Sequence, residues 1–262
     1  MKLQSFNYHT HTYICGHAIG TAEDMILAAI QGGFKTIGIS EHIGHNGWDD
    51  PKDRLNFKDN EKYLEMMYAL KEKYKDKINV RVGFECELYE ENKQYLLKIK
   101  DACDYMICGQ HTIAMHTPDL FVEGYSSDEN IEKMADIICE GIELGLFKYI
   151  AHPDYFLLGK CAFTPRKKAA IRKIAQCCKA HDVVIEINLK GCKYGKHTYD
   201  GIESYMYPNS ETFKIVGEVG AKVCFGYDAH HPDDLVKRRY LENEMKEAFK
   251  AYNLHFVEDL EL

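Results

Sequence analysis

Imidazole and carboxylate side chains recur in this sequence at the places where apolar runs end, and that recurrence is its main chemical signal. Asn7-Tyr8-His9-Thr10-His11 closes the first such run. In extended backbone His9 and His11 project to one side, with Tyr8 and Thr10 on the other. Two neutral imidazoles on one strand end converge on a point and need little reorganisation to chelate a metal ion. Such a pair is also common strand decoration, so its meaning depends on the residues downstream. Later runs end in Glu41-His42, Glu85, His111, His152, Glu186 with Asn188, and Asp228 with His230, while His17 lies in the first loop. Seven of the thirteen histidines, His9, His11, His17, His42, His111, His152 and His230, belong to this series. The others, His45, His116, His181, His197, His231 and His255, lie outside it and read as solvated or locally hydrogen-bonded groups. Nitrogen and carboxylate oxygen donors without thiolate suit zinc, iron or manganese and do not select among them.

The elements that must carry these groups alternate between short apolar runs and amphipathic stretches of helical period. The pairs are Leu3 to Tyr8 with Thr21 to Gly32, Thr36 to Ser40 with Asn60 to Tyr74, Ile78 to Phe84 with Asn92 to Lys100, and Tyr105 to Cys108 with Asp128 to Leu144. Tyr149 to Ala151 with Pro165 to Ala180, Val183 to Ile187 with Ser210 to Val219, and Lys222 to Phe225 with Asp233 to Tyr252 complete seven units. Thr21 followed by Asp24 predicts a capping box, Pro165 after Thr164 a helix start, and Gly32-Gly33 a helix end. Strand–helix alternation predicts an α/β fold with a parallel sheet, either open or closed into a barrel. A closed barrel brings all its strand ends to one mouth, whereas an open sheet would spread the polar residues too widely to share a site. At 262 residues, with no Pro-, Gly- or Ser-rich linker, residues 1–262 are expected to form one domain.

Composition narrows the function. A net charge of −8 disfavours sequence-independent nucleic-acid binding, which relies on Lys and Arg to neutralise phosphates. No run of about 18 apolar residues is present to span a membrane, and the N-terminus reaches its polar His-rich segment before a signal peptide's apolar region could develop. The expectation is a cytoplasmic protein that acts on a small molecule and engages neither nucleic acid nor membrane. Ten cysteines are scattered without a Cys-x-x-Cys pair and read as reduced thiols.

The motifs His9-Thr10-His11, Cys15-Gly16-His17, Ser40-Glu41-His42, Gly83-Phe84-Glu85, Gly109-Gln110-His111, Ala151-His152-Pro153 and Phe225-Gly226-Tyr227-Asp228-Ala229-His230 together resemble the polymerase and histidinol phosphatase (PHP) superfamily of metal-dependent phosphoesterases. Each motif is short, but they occur in the family's order over nearly the whole chain. The resemblance implies a distorted (β/α)7 barrel with three divalent metal ions (zinc, iron or manganese) at the C-terminal ends of its strands. It further implies that His9, His11, Glu85 and Asp228 hold one ion; that Glu85 bridges to a second held with His111 and His152; and that His17, His42 and His230 hold the third. Within this set Glu85, Asp228 and His230 are the implied catalytic groups. Attack on phosphorus would come from a metal-activated water, without a cysteine or serine nucleophile.

Phosphate contacts are where the chain departs from the family pattern. Where histidinol phosphatases of the family carry a Ser-Gly-Leu-Arg type segment, this chain has Leu189-Lys190-Gly191-Cys192-Lys193, so a point charge replaces a bidentate fork. Lys190 and Lys193 are the candidate substrate-binding residues. A second arginine of some members is replaced by Phe156-Leu157-Leu158. Glu41 could orient a neighbouring ligand or cap a helix; Trp48 and Asp49 could wall the substrate's organic part or lie exposed. The expected activity is hydrolysis of L-histidinol phosphate to L-histidinol and phosphate in histidine biosynthesis. A PHP-type phosphoesterase for another small molecule or nucleotide, a metal-binding module without turnover, and a metal-dependent amidohydrolase are the other readings open to the sequence.

Overall fold

A computed structural model describes residues 2–262. In chain order the main elements are β1 (Phe6–Asn7), α1 (Ala22–Gln31), β2 (Thr36–His42), α2 (Asn60–Tyr74), β3 (Asn79–Cys86), α3 (Lys93–Ile99), β4 (Tyr105–Cys108), α4 (Asp128–Glu143) and β5 (Tyr149–Ile150). They continue with α5 (Pro165–Ala180), β6 (Val184–Asn188), β7 (Lys196–Tyr199), β8 (Ile202–Tyr205), α6 (Ser210–Val219), β9 (Lys222–Gly226), α7 (Pro232–Lys237), α8 (Tyr240–Ala248) and β10 (His255–Phe256). The helix starts form as the sequence predicts. Thr21 and Asp24 make a reciprocal capping box on α1, and Thr164 caps α5 with Pro165 in its first turn.

Eight parallel strands pair in the order β1-β2-β3-β4-β5-β6-β9-β10. Because each strand of the sheet is added beside the one before it, with only the β7–β8 hairpin left out, the sheet curls in one sense and brings β1 back to β9. The seam closes by backbone only at the rim, where Thr10 bridges Ala229 and the His11 N–H donates to the Ala229 carbonyl at 2.8 Å. Lower down, side-chain amides do the stitching. Gln4 donates to the Phe225 carbonyl at 2.7 Å and accepts from the Phe225 N–H at 2.9 Å, and Asn7 Oδ1 accepts from the Tyr227 N–H at 3.0 Å. At the foot β10 takes the edge of β9 instead, pairing His255 with Lys222 and Phe256 with Val223. The result is the expected distorted α/β barrel, closed at its mouth and split at its base.

Three details differ from expectation. The sheet has an eighth strand, β10, because a two-residue segment in the tail is too short to leave a period-2 signal. The insertion after β6 contains the antiparallel hairpin β7–β8. The stretch Asp233 to Tyr252 is broken into α7, α8 and a final turn, and the break directs Arg239 inward to the Gln4 carbonyl (2.8 Å) and to Glu242 (2.8 Å), beside the seam.

Alternation along the strands separates two cores. Val80, Val82 and Phe84 pack outward in the large cluster with the helices, while Phe6, Tyr8, Tyr105, Ile107, Tyr149, Ala151, Val184 and Cys224 form the smaller cluster inside the barrel. Gly38 and Gly83 exist for Tyr105: a Cβ on Gly83 would lie 2.6 Å from the Tyr105 ring, and one on Gly38 2.2 Å from its hydroxyl. That hydroxyl donates to the Tyr8 carbonyl at 2.6 Å, and Val257, Leu260 and Leu262 pack against the same cluster. The barrel is therefore apolar inside and becomes polar only at the rim.

The seam is open to test. Gln4→Met keeps side-chain volume but leaves the buried Phe225 N–H and carbonyl without these partners, and is expected to cost ~1–3 kcal/mol in urea unfolding. An unchanged midpoint would show that the amide does not close the barrel.

Candidate metal centre

Glu85, at the end of β3, is 1% exposed and is the point on which the strand ends converge. Its Oε2 lies 3.0 Å from both His9 Nε2 and His11 Nε2 and 3.3 Å from His42 Nδ1; its Oε1 lies 3.0 Å from His152 Nε2 and 3.6 Å from His111 Nε2. Asp228 Oδ1 completes one side at 3.5 Å from both His9 Nε2 and His11 Nε2. Next to this group His230 Nε2 and His17 Nε2 face each other at 2.9 Å, and His17, His42 and His230 form a further cluster of metal-ligand spacing. Two glycines make the crowding possible. A Cβ on Gly109 would fall 1.8 Å from Glu85 Oε1, and one on Gly226 1.5 Å from Glu186 Oε1. His152 (φ 27°) and Asp228 (φ 43°) sit in the left-handed region that non-glycine residues rarely adopt, and strain of this kind concentrates at functional sites.

A second set of groups turns the rings. His9 Nδ1 is held by Glu186 (3.0 and 3.2 Å), His111 Nδ1 by Glu87 (3.1 Å), His230 Nδ1 by the Asp228 carbonyl (2.9 Å), and His17 Nδ1 by the Cys15 and Lys52 carbonyls (3.2 Å each). In the neutral ring each of these acceptors favours the proton on Nδ1, which turns the Nε2 lone pair into the cluster. Two such lone pairs 2.9 Å apart on His17 and His230 would repel, and a cation shared between them would relieve that repulsion. Tetrahedral ligands about 2.0–2.2 Å from a zinc ion are themselves roughly 3.3–3.6 Å apart, so these donor separations need only small adjustments to fit one. Glu41 accepts from the Thr12 N–H at 2.6 Å and has its other oxygen 3.8 Å from His11 Nδ1. Both His11 Nδ1 and that oxygen are buried and have no hydrogen-bond partner.

The charges are mutually compensating. Burial acts to raise the Glu85 and Asp228 carboxyls, but His9 and His42 around Glu85, and Lys190 and His9 around Asp228, outweigh it and hold both well below the usual carboxylate range. Burial opposes a charge on His111, yet Glu87 and Glu85 lift it to about 9. Burial, with Lys190 and His11 nearby, drives His230 down to about 3. Burial also lowers His42 well below its ordinary value and pushes the Cys15 thiol up to about 12. All ten cysteines are free.

Above the cluster opens a cavity of about 230 Å³. Lys190 reaches its floor, 3.2 Å from both Asp228 Oδ1 and His230 Nε2. Lys193 is not among the residues lining it: its ammonium lies 4.8 Å from the centre of the ring of Tyr194, which does line the cavity. Phe156 and Leu157, which stand where some family members carry an arginine, are core residues. Trp48 is a wall; Asp49 is not, and Asp50 and Asp53 take that position instead. His45, read as solvated or locally bonded, is buried on Glu87 and Asn92. Sequence reasoning missed four further groups. Glu186, one of two polar residues among the apolar positions of β6, was visible as metal-capable but not as a partner for His9; Glu87 is two residues beyond Glu85 on one strand face and could have been found by that spacing. Arg54 and the Asp119–Tyr155 pair (3.0 Å) carried no local signal, because loop conformation brings them in.

Comparison with known proteins adds independent findings. The PHP domain family model matches residues 7–190. A probable histidinol-phosphatase of Deinococcus radiodurans is 22% identical over 87% of this chain and 86% of its own length, and one of Schizosaccharomyces pombe is 25% identical over 86% and 80%. Among solved structures, the histidinol phosphate phosphatase of Lactococcus lactis, complexed with zinc, L-histidinol and phosphate, superposes with a TM-score of 0.71 at 17% identity, covering 98% of this chain and 96% of that one. A Listeria monocytogenes structure described as that of a putative histidinol phosphatase gives 0.68 at 19%, covering 87% and 96%. At these identities the structural likeness establishes the fold.

The opposed histidine shifts predict a stability profile for the chelator-treated protein. A histidine raised in the folded state, as His111 is, contributes stability that is whole below the unfolded value of about 6.5 and is lost as pH rises towards 9. A histidine depressed when folded, as His230 is, contributes stability that is lost as pH falls from about 6.5 towards 3. Thermal unfolding from pH 5 to 9 is therefore expected to peak near pH ~6.5 and decline on both sides. Zinc should flatten the alkaline limb, since a coordinated imidazole has no ligand-side proton to lose; a limb that persists unchanged with zinc bound would contradict this.

Proposed function

The chain belongs to the PHP domain family, and from that premise we propose that it is a metal-dependent phosphate monoester hydrolase that converts L-histidinol phosphate and water to L-histidinol and phosphate. The observation that carries the reading is the convergence on buried Glu85 of five imidazoles from four separate segments, with Asp228 completing the cluster, at the floor of a cavity that Lys190 also enters. The names of the two relatives, both probable histidinol-phosphatases, support the substrate.

In this proposal His9, His11, Glu85 and Asp228 hold one divalent ion, Glu85 with His111 and His152 a second, and His17, His42 and His230 a third. Zinc, iron and manganese all suit the donors. When bound, such ions supply an acidified water as nucleophile and positive charge beside the phosphoryl oxygens. The chain's own groups do the rest. Glu85 spans two sites with its two oxygens. Asp228 anchors Lys190, whose ammonium is available to a non-bridging phosphate oxygen and offsets charge as the leaving oxygen departs. Trp48, Tyr155 and Tyr207 wall the cavity and restrict bulk water. Asp50, Asp53 and Asp119 at the cavity favour a substrate with a cationic group beside its phosphate, as histidinol's amine is, over a nucleotide. The departures at the phosphate-binding positions favour testing other small monoesters alongside it. Residues 1–262 are proposed to act as one barrel domain. Among the described residues no helix is long and apolar enough to cross a membrane, and the ten free thiols support a reducing compartment such as the cytoplasm.

Steady-state kinetics against histidinol phosphate, sugar phosphates, amino-alcohol phosphates and nucleotide monophosphates tests the proposal. Histidinol phosphate is expected among the best by kcat/KM, with activity abolished by chelator and restored by zinc or manganese. Lys190→Met is expected to lower kcat/KM roughly 10²-fold. Histidinol phosphate ranking among the poor substrates would overturn the named substrate, and metal-independent turnover would overturn the class.

A further inference from the structure

Glu87 is outside the proposed ligand set, yet it is 1% exposed and accepts hydrogen bonds from three different parts of the chain. Oε1 receives His111 Nδ1 at 3.1 Å and Arg54 Nη2 at 3.3 Å; Oε2 receives Arg54 Nη1 at 2.9 Å and His45 Nε2 at 3.0 Å. Arg54 is 6% exposed, and its guanidinium carbon lies 4.1 Å from the centre of the Trp48 ring. His45 also stacks with Trp48, its ring centre 5.8 Å from that of the indole, and its carbonyl accepts the Trp48 backbone N–H at 3.2 Å. Asn92 fixes the arrangement from behind, donating to the Glu87 carbonyl at 2.9 Å and contacting His45 Nδ1 at 3.0 Å. One carboxylate thus anchors both a ring that faces Glu85 and the loop that carries the cavity's aromatic wall.

We infer that Glu87 is a positioning residue that couples cation binding beside His111 to the placement of Trp48 against the substrate. The inference rests on the metal assignment proposed above and goes beyond it. A cation drawing on His111 Nε2 makes the Nδ1–H a stronger donor and fixes the ring angle. Glu87 then settles on His111 at the expense of its freedom towards Arg54, and in a close-packed interior a shift at Arg54 is carried to the indole stacked on it. Coupling of this kind is reciprocal: a substrate that orders Trp48 tightens the cation beside His111 by the same factor. The wall is thereby held most firmly over a loaded centre.

Trp48 is the sole tryptophan, so its emission reports this placement directly. The experiment titrates zinc alone into the chelator-treated full chain, reading emission together with zinc bound per chain, and then measures KM and kcat. In the wild type the emission is expected to change as zinc fills the centre. Arg54→Gln removes the guanidinium, the nearer of the two links between Glu87 and the Trp48 ring, and leaves the more distant His45 link and the Glu87–His111 contact. It should bind the same zinc per chain, lose most of the emission change, and raise KM about 5–10-fold with kcat within about twofold. Glu87→Gln should lose the emission change and also weaken zinc about 10–100-fold; if that buried substitution prevents folding, Arg54→Gln decides alone. Constant Trp48 emission while zinc binds, or a full response in Arg54→Gln, overturns the inference and leaves the phosphatase reading standing. Failure of the wild type to bind zinc at all overturns the metal reading and this inference with it.

Discussion

A buried carboxylate at the barrel rim governs the rest of the structure. Glu85 is held ionised with almost no access to water, and an isolated charge in that position would cost several kcal/mol. What offsets the cost is the ring of imidazoles, and bringing them there dictates the backbone. Gly109 must lack a side chain because Glu85 occupies its space. The seam between the first strand and β9 must close at Thr10 and Ala229, since that bridge lies between His9 and His11 on one side and Asp228 and His230 on the other. Closure elsewhere would be optional; at this level the site does not form without it. This is why the seam is tight at the mouth and left to Gln4, Asn7 and a displaced tail strand further down.

Orientation is delegated to a further layer of carboxylates. Glu186 fixes His9 and also accepts the His152 N–H at 3.0 Å, which helps hold His152 at its unusual φ. Glu41 serves His11 and the Thr12 backbone; Glu87 serves His111, His45 and Arg54. Each outer carboxylate therefore connects a ring of the centre to backbone or to a loop, so ring geometry and local fold are specified by the same bonds. A net negative chain that concentrates carboxylates here is suited to collecting cations at one end of its barrel.

How much of this was legible in the sequence depends on the range of the interactions involved. Strand ends were readable because β-branched runs and helix caps are local; α2, α5, α6 and β4 have the bounds the pattern gave. The convergence of His9, His42, Glu85, His111, His152 and Asp228 was readable because a barrel maps sequence order onto positions around a rim. The tail strand β10 was not, since its pairing with β9 is available only because the seam is split at the foot, a consequence of tertiary closure. Nor was the break between α7 and α8, which serves Arg239 at the same seam.

The cavity walls show the same division more sharply. Lys190 and Lys193 look equivalent in sequence, both flanking Gly191-Cys192. The one-turn helix that begins at Lys190 separates them by about one turn, but what decides their fate is the partner at hand: Lys190 finds Asp228 inside the mouth, while Lys193 is left over Tyr194 at the surface. Asn188 makes the difference possible, since its Oδ1 accepts the Gly191 N–H at 3.1 Å while its Nδ2 donates to Asp228 at 3.2 Å, fixing the helix start relative to the carboxylate. A loop lysine is held at the cavity here because a strand-end asparagine ties its backbone to a buried acid. Which loop side chains reach the cavity is thus set by how each loop is fastened to the strand ends at the rim, and composition of the loop alone does not reveal it.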